Sequence, residues 1–587
     1  MNQRIQEDIE EFARGLEQFR QGHMELDEFK RLRLQNGIYS QRQQEFFMIR
    51  VKIPFGAMTN DQMLRLSQVS EQFSKGGLHV TTRQDVQLYW IVLENLVPLM
   101  RQLAEVGLTS RESAGNTVRN VTACHLAGVC LDESFDVTPY AQAVSSYFLH
   151  HPFSQNLPRK FKIAFSGCEH DCGLAAIHDL GAIGLQLPLD GRERRFFRLL
   201  AGGGLGSAPR LAQVLESYAP AHDILEWTEA ILWVFNEMGE RSNRSRSRLK
   251  FLIGKIGIET FRQWVKEKRQ QLPANPERDF WKQTLKKGDD ATPHSHARAR
   301  GNVEVFPTRE LVGNRVGDDY QIWKRSCVIS QRQAGYKAVS VFLPQGDIKA
   351  SALRELAEVL DHLGMARSVR TTNQQNLVIR WVGEEVLPWL HRELVRIGLA
   401  IPGVGGISDV TACPGSVTCQ SAITQSKSLG RTLTVLFKQA FGEAPLDLAD
   451  VRIKMSGCPN SCAQYQLGTL GLYGASKSHE GKQLPYYQLL LGGHINGAGP
   501  ELAQFVISLP AKRVPMALMH LVEWYRSQRE GKETLADFLK RKGPQRIRGE
   551  LEPFTKVVGF YQERDLYYDW GCDQPFAFDK PGAGECG

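Results

Sequence analysis

The chain repeats itself, and that repeat limits its fold more than any other feature. Eight of its eleven cysteines form two quartets, Cys124, Cys130, Cys168, Cys172 and Cys413, Cys419, Cys458, Cys462, set 289 or 290 residues apart. The match runs well beyond the cysteines. Ile49, Val51 and Ile53, closed by Pro54 and Gly56, return as Val339, Val341 and Leu343, closed by Pro344 and Gly346. Period-two alternation of this kind predicts a half-buried strand. Met63, Leu66 and Val69 on a helical stretch return as Leu353, Leu356 and Val359, and a Thr-Thr turn then leads into VQLYWIV in one copy and NLVIRWV in the other. Each half therefore has to build the same small α/β unit, followed by the same cysteine-bearing unit.

The cysteine-bearing units share a Ser-Gly-Cys turn (Ser166 to Cys168, Ser456 to Cys458), the glycine pairs Gly181/Gly184 and Gly471/Gly474, and the loops AGGGLGS and LGGHING. The first loop falls short of a dinucleotide fingerprint because Ser207 holds the last glycine position. Glycines at Gly202-Gly203 and Gly492-Gly493 instead suit close approach to a large flat cofactor or a neighbouring strand. Between the halves, KKGDDATPHSHARARGNVEVFPTRE reads as an exposed connector, with the boundary near residue 300.

With 587 residues, 42% of them hydrophobic and 23% charged, the chain can bury several cores, and three to five domains are expected. The net charge of +8 is spread along the chain, without the basic stripe that nucleic-acid binding requires. No apolar run approaches the roughly 18 residues of a membrane helix, and the start, MNQRIQEDIEEFARGLEQF, is polar. These features predict a cytoplasmic protein with no membrane contact. The basic segment Arg241 to Lys250 reads as a solvated helix face, with docking of an acidic electron carrier as the alternative.

Cysteines in such a chain read as metal ligands or redox thiols before disulfides. Cys327, Cys572 and Cys586 stand apart from the quartets. In each half, C-x5-C is followed by C-x3-C directly behind Ser-Gly. Structural zinc favours C-x2-4-C knuckles, which the six-residue steps do not supply. A [4Fe-4S] cube takes four thiolates, and two pairs arriving from different loops can provide them. The C-x2-C-x2-C run of a simple ferredoxin is absent.

TACPGSVTC and SGCPNSC, with TTRQ, VRNV and LPRKFK, resemble the motifs of the sirohaem-dependent nitrite and sulfite reductases, and the resemblance covers nearly the whole chain. It is strongest to the ferredoxin-type assimilatory sulfite reductase haemoproteins. The resemblance implies an α+β, pseudo-twofold fold with two ferredoxin-like half-domains and two sirohaem/[4Fe-4S]-type α/β domains. The expected segments are a helical extension (1–45), half-domain 1 (46–112), cluster-type domain 1 (113–300), half-domain 2 (301–402), the sirohaem and [4Fe-4S] domain (403–550) and a tail (551–587). It implies that Cys413, Cys419, Cys458 and Cys462 bind a [4Fe-4S] cluster and that Cys462 also ligates the sirohaem iron. It places Arg83, Arg119, Lys160 and Lys162 over the open face of the macrocycle. There they would neutralise a small oxyanion, bond its oxygens and pass protons as water leaves.

The duplication then predicts a second, reciprocal site, pairing Cys124, Cys130, Cys168 and Cys172 with the counterparts Asn373, Ser408, Asp450 and Arg452. Formal charges total +4 in the first basic set and zero in the second, so a single catalytic site is expected. The reciprocal quartet is a candidate second cluster, against buried free thiols as the plain alternative. Lysine at both 160 and 162 resembles the sulfite branch, so the expected reaction is six-electron reduction of sulfite, with nitrite as the alternative substrate. A non-catalytic iron-sulfur carrier is the other alternative. With no nicotinamide or flavin segment visible, electrons are expected from ferredoxin or a similar acidic donor.

Overall fold

The computed structural model describes residues 2–189, 191–287, 317–494, 499–578 and 585. The connector expected around residue 300 lies almost wholly outside them. Among the described residues no helix is long and apolar enough to cross a membrane.

The alternating segments form strands as their period predicts, and the duplication appears as two pairs of matching sheets. The first small sheet runs Ile38–Ser40, Phe47–Val51, Val86–Ile91, Gly77–Val80, and then Asp347–Lys349, a strand from the other half. The second runs Val328–Ser330, Tyr336–Val341, Leu377–Gly383, Val369–Thr371, and ends on Ala57–Met58 from the first half. Each half thus lends its partner an edge strand. Asp347 pairs with His79, and Val369 with Met58. The fold is the α+β duplication the resemblance implied, but the small units are interlocked rather than independent.

A backbone exchange of this kind requires the two chains to approach closely. Gly56 and Gly346 permit it. Both have positive φ, and a Cβ there would sit 2.5 Å from Thr371 O and Val80 O respectively, each in the opposite half. Beneath the two sheets, helices Asn60–Phe73 and Ala350–His362 bury Met63, Leu66, Val69 and Leu353, Leu356, Val359 in one core shared by both halves. Burial of that apolar face, not helix propensity, supplies most of its stability.

The larger sheets carry the cysteines. In each, a short strand (Thr122–Ala123 or Thr411–Ala412) pairs in parallel with the next (Ile163–Ser166 or Ile453–Ser456), which pairs in parallel with a ten-residue strand (Leu180–Leu189 or Leu470–His479). Two antiparallel strands complete each sheet. The quartet cysteines lie at or beyond the ends of the two short parallel strands, where backbone turns away from the ladder.

Three expectations change. The boundary at residue 46 cuts through the first sheet, which already begins at Ile38. The tail from 551 is packed structure as far as Phe578: Leu566 and Tyr567 are buried with Leu484 and Tyr486, and Asp569 accepts from Gln425 N at 2.7 Å. The basic segment is a solvated face only as far as Arg246. Beyond it, Arg248 forks onto the fully buried Asp179 at 3.0 and 2.8 Å, and Lys250 Nζ donates to the carbonyls of Gly204, Leu205 and Ala208. These carbonyls need a cation because the glycine loop turns its backbone inward. The loop glycines serve backbone packing: a Cβ on Gly203 would lie 2.7 Å from Ala176 O and His178 O, and one on Gly493 2.4 Å from Gln466 O.

Exchange of edge strands predicts that the halves do not fold alone. Residues 1–300 expressed without the rest leave the edge of Gly77–Val80 unpaired and half of the shared core exposed. Each backbone group left buried without a partner costs about 1–3 kcal/mol. The fragment should aggregate on size exclusion and show no cooperative thermal transition by circular dichroism. A monomeric, cooperatively melting fragment would refute the interlock.

Candidate active site

Two buried glutamines carry the architecture from the interlock to the cysteines. Gln84 and Gln375, both at positive φ, occupy equivalent turns. Gln84 donates to Thr371 O in the other half (2.9 Å) and accepts from Ala123 N (3.0 Å), directly before Cys124. Gln375 donates to Val80 O (3.2 Å) and accepts from Ala412 N (3.0 Å), directly before Cys413. The Thr-Thr turns therefore sit against the cysteine loops of opposite halves. Thr82 Oγ1 donates to Cys462 O, and Asn373 Nδ2 to Cys172 O, each at 2.7 Å.

At the first of these junctions a cleft of about 1300 Å³, its open mouth included, brings together Arg83, Arg119, Lys160 and Lys162 from the first half with Cys413, Cys419, Cys458 and Cys462 from the second. The eight residues expected from the sequence to form the first site meet there; Cys124, Cys130, Cys168 and Cys172 do not line this cleft. Cys413 and Cys458 are buried, Cys419 is half-buried and Cys462 is exposed to the cleft. Cys413 Sγ accepts from Gly457 N at 3.2 Å, a donor that favours a thiolate. Gly457 itself is pressed against the loop, since a Cβ there would lie 2.5 Å from Thr424 O.

The cations are poorly hydrated. Burial pushes the Arg83 guanidinium down to about 10. Lys160 and Lys162 are lowered well below the ordinary lysine value, by burial first and then by neighbouring cations, Arg159 for Lys160 and Arg83 for Lys162. Arg83 Nη2 donates to Asn120 O, but Nε and Nη1 are buried with no partner among the described residues. Arg119 is held by the carbonyls of Ser113 and Gly115 and by Tyr39 Oη. Orphaned, buried donors converging on a cleft call for an anionic occupant. Sirohaem, a macrocycle rich in carboxylates, and a small oxyanion both meet that requirement, and the four thiols at the cleft wall suit a [4Fe-4S] cluster.

The reciprocal junction is built differently. The turn geometry of the cysteine loops is conserved: Asp171 and Leu174 adopt positive φ, as do Ser461 and Gln464 at the equivalent positions. The thiols of the first quartet interact in series, Cys130 with Cys168, Cys168 with Cys172, and Cys172 with Cys124. Among the described residues, no group of three or more His, Cys, Asp or Glu side chains is set to hold a single ion. Of the four counterparts, Asn373 and Ser408 are buried, Arg452 is partly buried and Asp450 is exposed.

The four counterparts, with a net formal charge of zero, are not the whole of the reciprocal junction. Arg370 and Arg380, at the positions of His79 and Tyr89 when Gln375 is set on Gln84 and Trp381 on Trp90, are buried there. They donate to Cys124 O and Thr138 Oγ1, and to Ala127 O, respectively. Among the four counterparts Arg452 carries a guanidinium, and Arg370 and Arg380 add two buried ones. Through the Thr-Thr turns the repeat runs at an offset of 291, so Asn373 stands where Thr82 does and the counterpart of Arg83 is Gln374, not Asn373 as the sequence suggested. Three residues of the catalytic-side cleft also went unread in the sequence: Tyr39, Asp85 and Glu585. Asp85 is buried among Arg50, Lys52, Arg83 and Arg119, and burial raises its carboxyl above the usual range.

Known proteins match this chain along most of its length. The profile of the nitrite and sulphite reductase 4Fe-4S domain matches residues 114–272 and again 403–557. That of the nitrite/sulfite reductase ferredoxin-like half domain matches 39–106 and 329–397. The chain is 27% identical over 558 residues to an assimilatory ferredoxin-dependent nitrite reductase of Haloferax mediterranei, covering 92% of this chain and 89% of that one. It is 27% identical over 537 residues to sulfite reductase [ferredoxin] 1 of Mycolicibacterium paratuberculosis, covering 87% and 88%. The solved structure of the Mycobacterium tuberculosis NirA protein superposes with a TM-score of 0.74 at 26% identity, covering 90% of this chain and 92% of that one. With both profiles matched twice, in the order of the duplication, the chain belongs to the nitrite and sulphite reductase family.

Proposed function

We propose that the chain reduces sulfite to sulfide in a six-electron reaction at the cleft between first-half cations and second-half cysteines, with electrons from ferredoxin or a similar acidic donor. The observation that carries this reading is the convergence of Arg83, Arg119, Lys160 and Lys162 on the Cys413, Cys419, Cys458, Cys462 quartet. Cys413, Cys419, Cys458 and Cys462 would hold a [4Fe-4S] cluster and Cys462 would also ligate the iron of sirohaem, and the two groups when bound would supply electrons one at a time.

The residues supply the rest. A dianion entering the cleft replaces water around Arg83 Nε and Nη1, which are already aimed and lack partners, so little reorganisation is needed. Reducing sulfite to sulfide removes three oxygens as water and consumes six protons. Lys160 and Lys162, whose ammonium forms are weakened by burial, are suited to pass protons from Nζ to the departing oxygens. Four cations favour the dianion over monovalent nitrite, and this is the basis for preferring sulfite.

The first quartet is proposed to hold a second [4Fe-4S] cluster without sirohaem. The left-handed turns repeated from the second quartet and the serial thiol interactions support it.

Three outcomes follow. Arg119→Ala should lower the rate of sulfite reduction by about 100-fold, while Asp450→Ala leaves it within about twofold, by steady-state assay with reduced ferredoxin or viologen; equal losses would refute the asymmetry. The same assay should give a higher kcat/KM for sulfite than for nitrite, and a much higher value for nitrite would reverse the substrate. Iron and acid-labile sulfide analysis should find about eight cluster irons per chain, falling to about four in a Cys124→Ser, Cys172→Ser double variant. Four cluster irons in wild-type protein fully loaded with sirohaem would exclude the second cluster.

A further inference from the structure

The two quartets sit in equivalent loops, but the surroundings of Cys413 and Cys124 differ. TACPGSVTC and TACHLAGVC run at an offset of 289. The segments after them keep it: Ser134 N donates to Gly167 O and Ile423 N to Gly457 O, each at 2.7 Å. On that frame Gly415 stands where the first half has Leu126, and Ser426 where it has Val137.

Ser426 opens the helix Ser426–Phe441 and is fully buried. Its Oγ lies 3.3 Å from Cys413 Sγ and donates to Cys413 O at 3.0 Å. Gly457 N donates to the same sulfur at 3.2 Å. Gly415 has φ +63°, and a Cβ there would sit 2.7 Å from Ser426 N and 2.9 Å from Ser426 Oγ, so a side chain at 415 would push the hydroxyl away. Burial first, and then the Cys462 thiol, raises the Cys413 thiol above its usual value, while Ser426, Gly457 and Gly415 work against them. Leu126 and Val137 offer Cys124 no side-chain donor at these two positions.

We propose that Ser426 is a positioning residue for the catalytic-side cluster, its hydroxyl donating to the Cys413 sulfur and raising the potential at which that cluster accepts an electron. The inference rests on the reading of the second quartet as a [4Fe-4S] site. The serine has one hydroxyl proton and two acceptors within reach. As a thiol, Cys413 can donate to Oγ, and the serine proton then points at Cys413 O. As a cluster ligand the sulfur carries no proton, and the serine proton turns to it. The electron delivered by the donor protein adds negative charge to the cluster and its sulfurs, so a hydroxyl held there stabilises the reduced form more than the oxidised one. No proton is transferred. With Leu126 and Val137 at the first quartet, the device belongs to the quartet beside the four cations alone.

The test uses the full-length protein loaded with sirohaem and cluster, beside Ser426→Ala, Ser426→Thr and Gly415→Ala, with iron analysis to establish loading. Potentiometric titration followed by EPR reads the cluster potential, and any signal of the first quartet is recognised by its loss from the Cys124→Ser, Cys172→Ser variant. Ser426→Ala should shift the reduction equilibrium about tenfold toward the oxidised cluster, about 59 mV lower for one electron. Ser426→Thr keeps the hydroxyl and should stay near wild type. Gly415→Ala keeps the serine but displaces it, and should fall in the same direction as Ser426→Ala. In deuterium oxide, pulsed EPR of the reduced wild-type cluster should show an exchangeable proton coupling that Ser426→Ala lacks. An unchanged potential in Ser426→Ala, or an equal fall in Ser426→Thr, would overturn the inference. Should Ser426→Ala take up no cluster, a loaded Gly415→Ala protein with the wild-type potential would overturn it equally. Wild-type protein fully loaded with sirohaem but free of cluster iron would refute the underlying reading instead, an outcome the iron analysis tells apart.

Discussion

The structure depends on one reciprocal contact across its pseudo-twofold axis. Gln84 and Gln375 each bond a backbone carbonyl of the opposite half and a backbone N–H next to a quartet cysteine of their own half. Both amides are buried, and an unmet amide there would cost about 1–3 kcal/mol. The contact therefore holds only when both halves are folded and in register. The exchanged strands Asp347–Lys349 and Ala57–Met58 enforce the same condition at the sheet edges. Register at the axis sets where each Thr-Thr turn lies, and each turn then lies against the cysteine loop of the other half.

Once two such junctions exist, electrostatics separates them. At one, four cations meet, burial lowers the proton affinity of Lys160 and Lys162, and Arg83 keeps two buried nitrogens with no partner among the described residues. Isolated buried charges cost several kcal/mol each, so such a cleft is stable only with an anionic occupant or with part of its charge neutralised. Asp85 provides a share of the compensation. At the other junction, Arg370 and Arg380 spend their donors on the carbonyls of the cysteine loop and on Thr138. The Nε of each stays buried without a partner among the described residues, so these two guanidiniums are also incompletely satisfied. The same backbone frame thus carries different cations at its two junctions.

Much of this was legible in the sequence because the relevant signals are periodic or duplicated. Alternation at Ile49, Val51, Ile53 and its echo at Val339, Val341, Leu343 reported strands. The spacing of the eight cysteines reported two sets of thiols arriving from paired loops, and the motifs TTRQ, VRNV and LPRKFK marked the cations that line the cleft. Arg248 and Lys250 were misread because a run of basic residues carries no mark of the buried carboxylate or carbonyls that some of its members meet. Arg370 and Arg380 escaped notice because an offset of 291, not 290, relates them to His79 and Tyr89, and no motif marks either pair.

By itself, then, the sequence determined the duplication, the α+β units, the two quartets and the four cations facing the second of them. Those follow from local pattern, which depends on residues near one another along the chain. Only the tertiary structure decided that the halves exchange edge strands, that Arg370 and Arg380 are buried at the reciprocal junction, and that Glu585 meets Arg33. Each of these joins residues far apart in sequence. The partner of a buried charge or an unpaired strand edge is set by which surfaces the folded chain brings together, and no local periodicity encodes that.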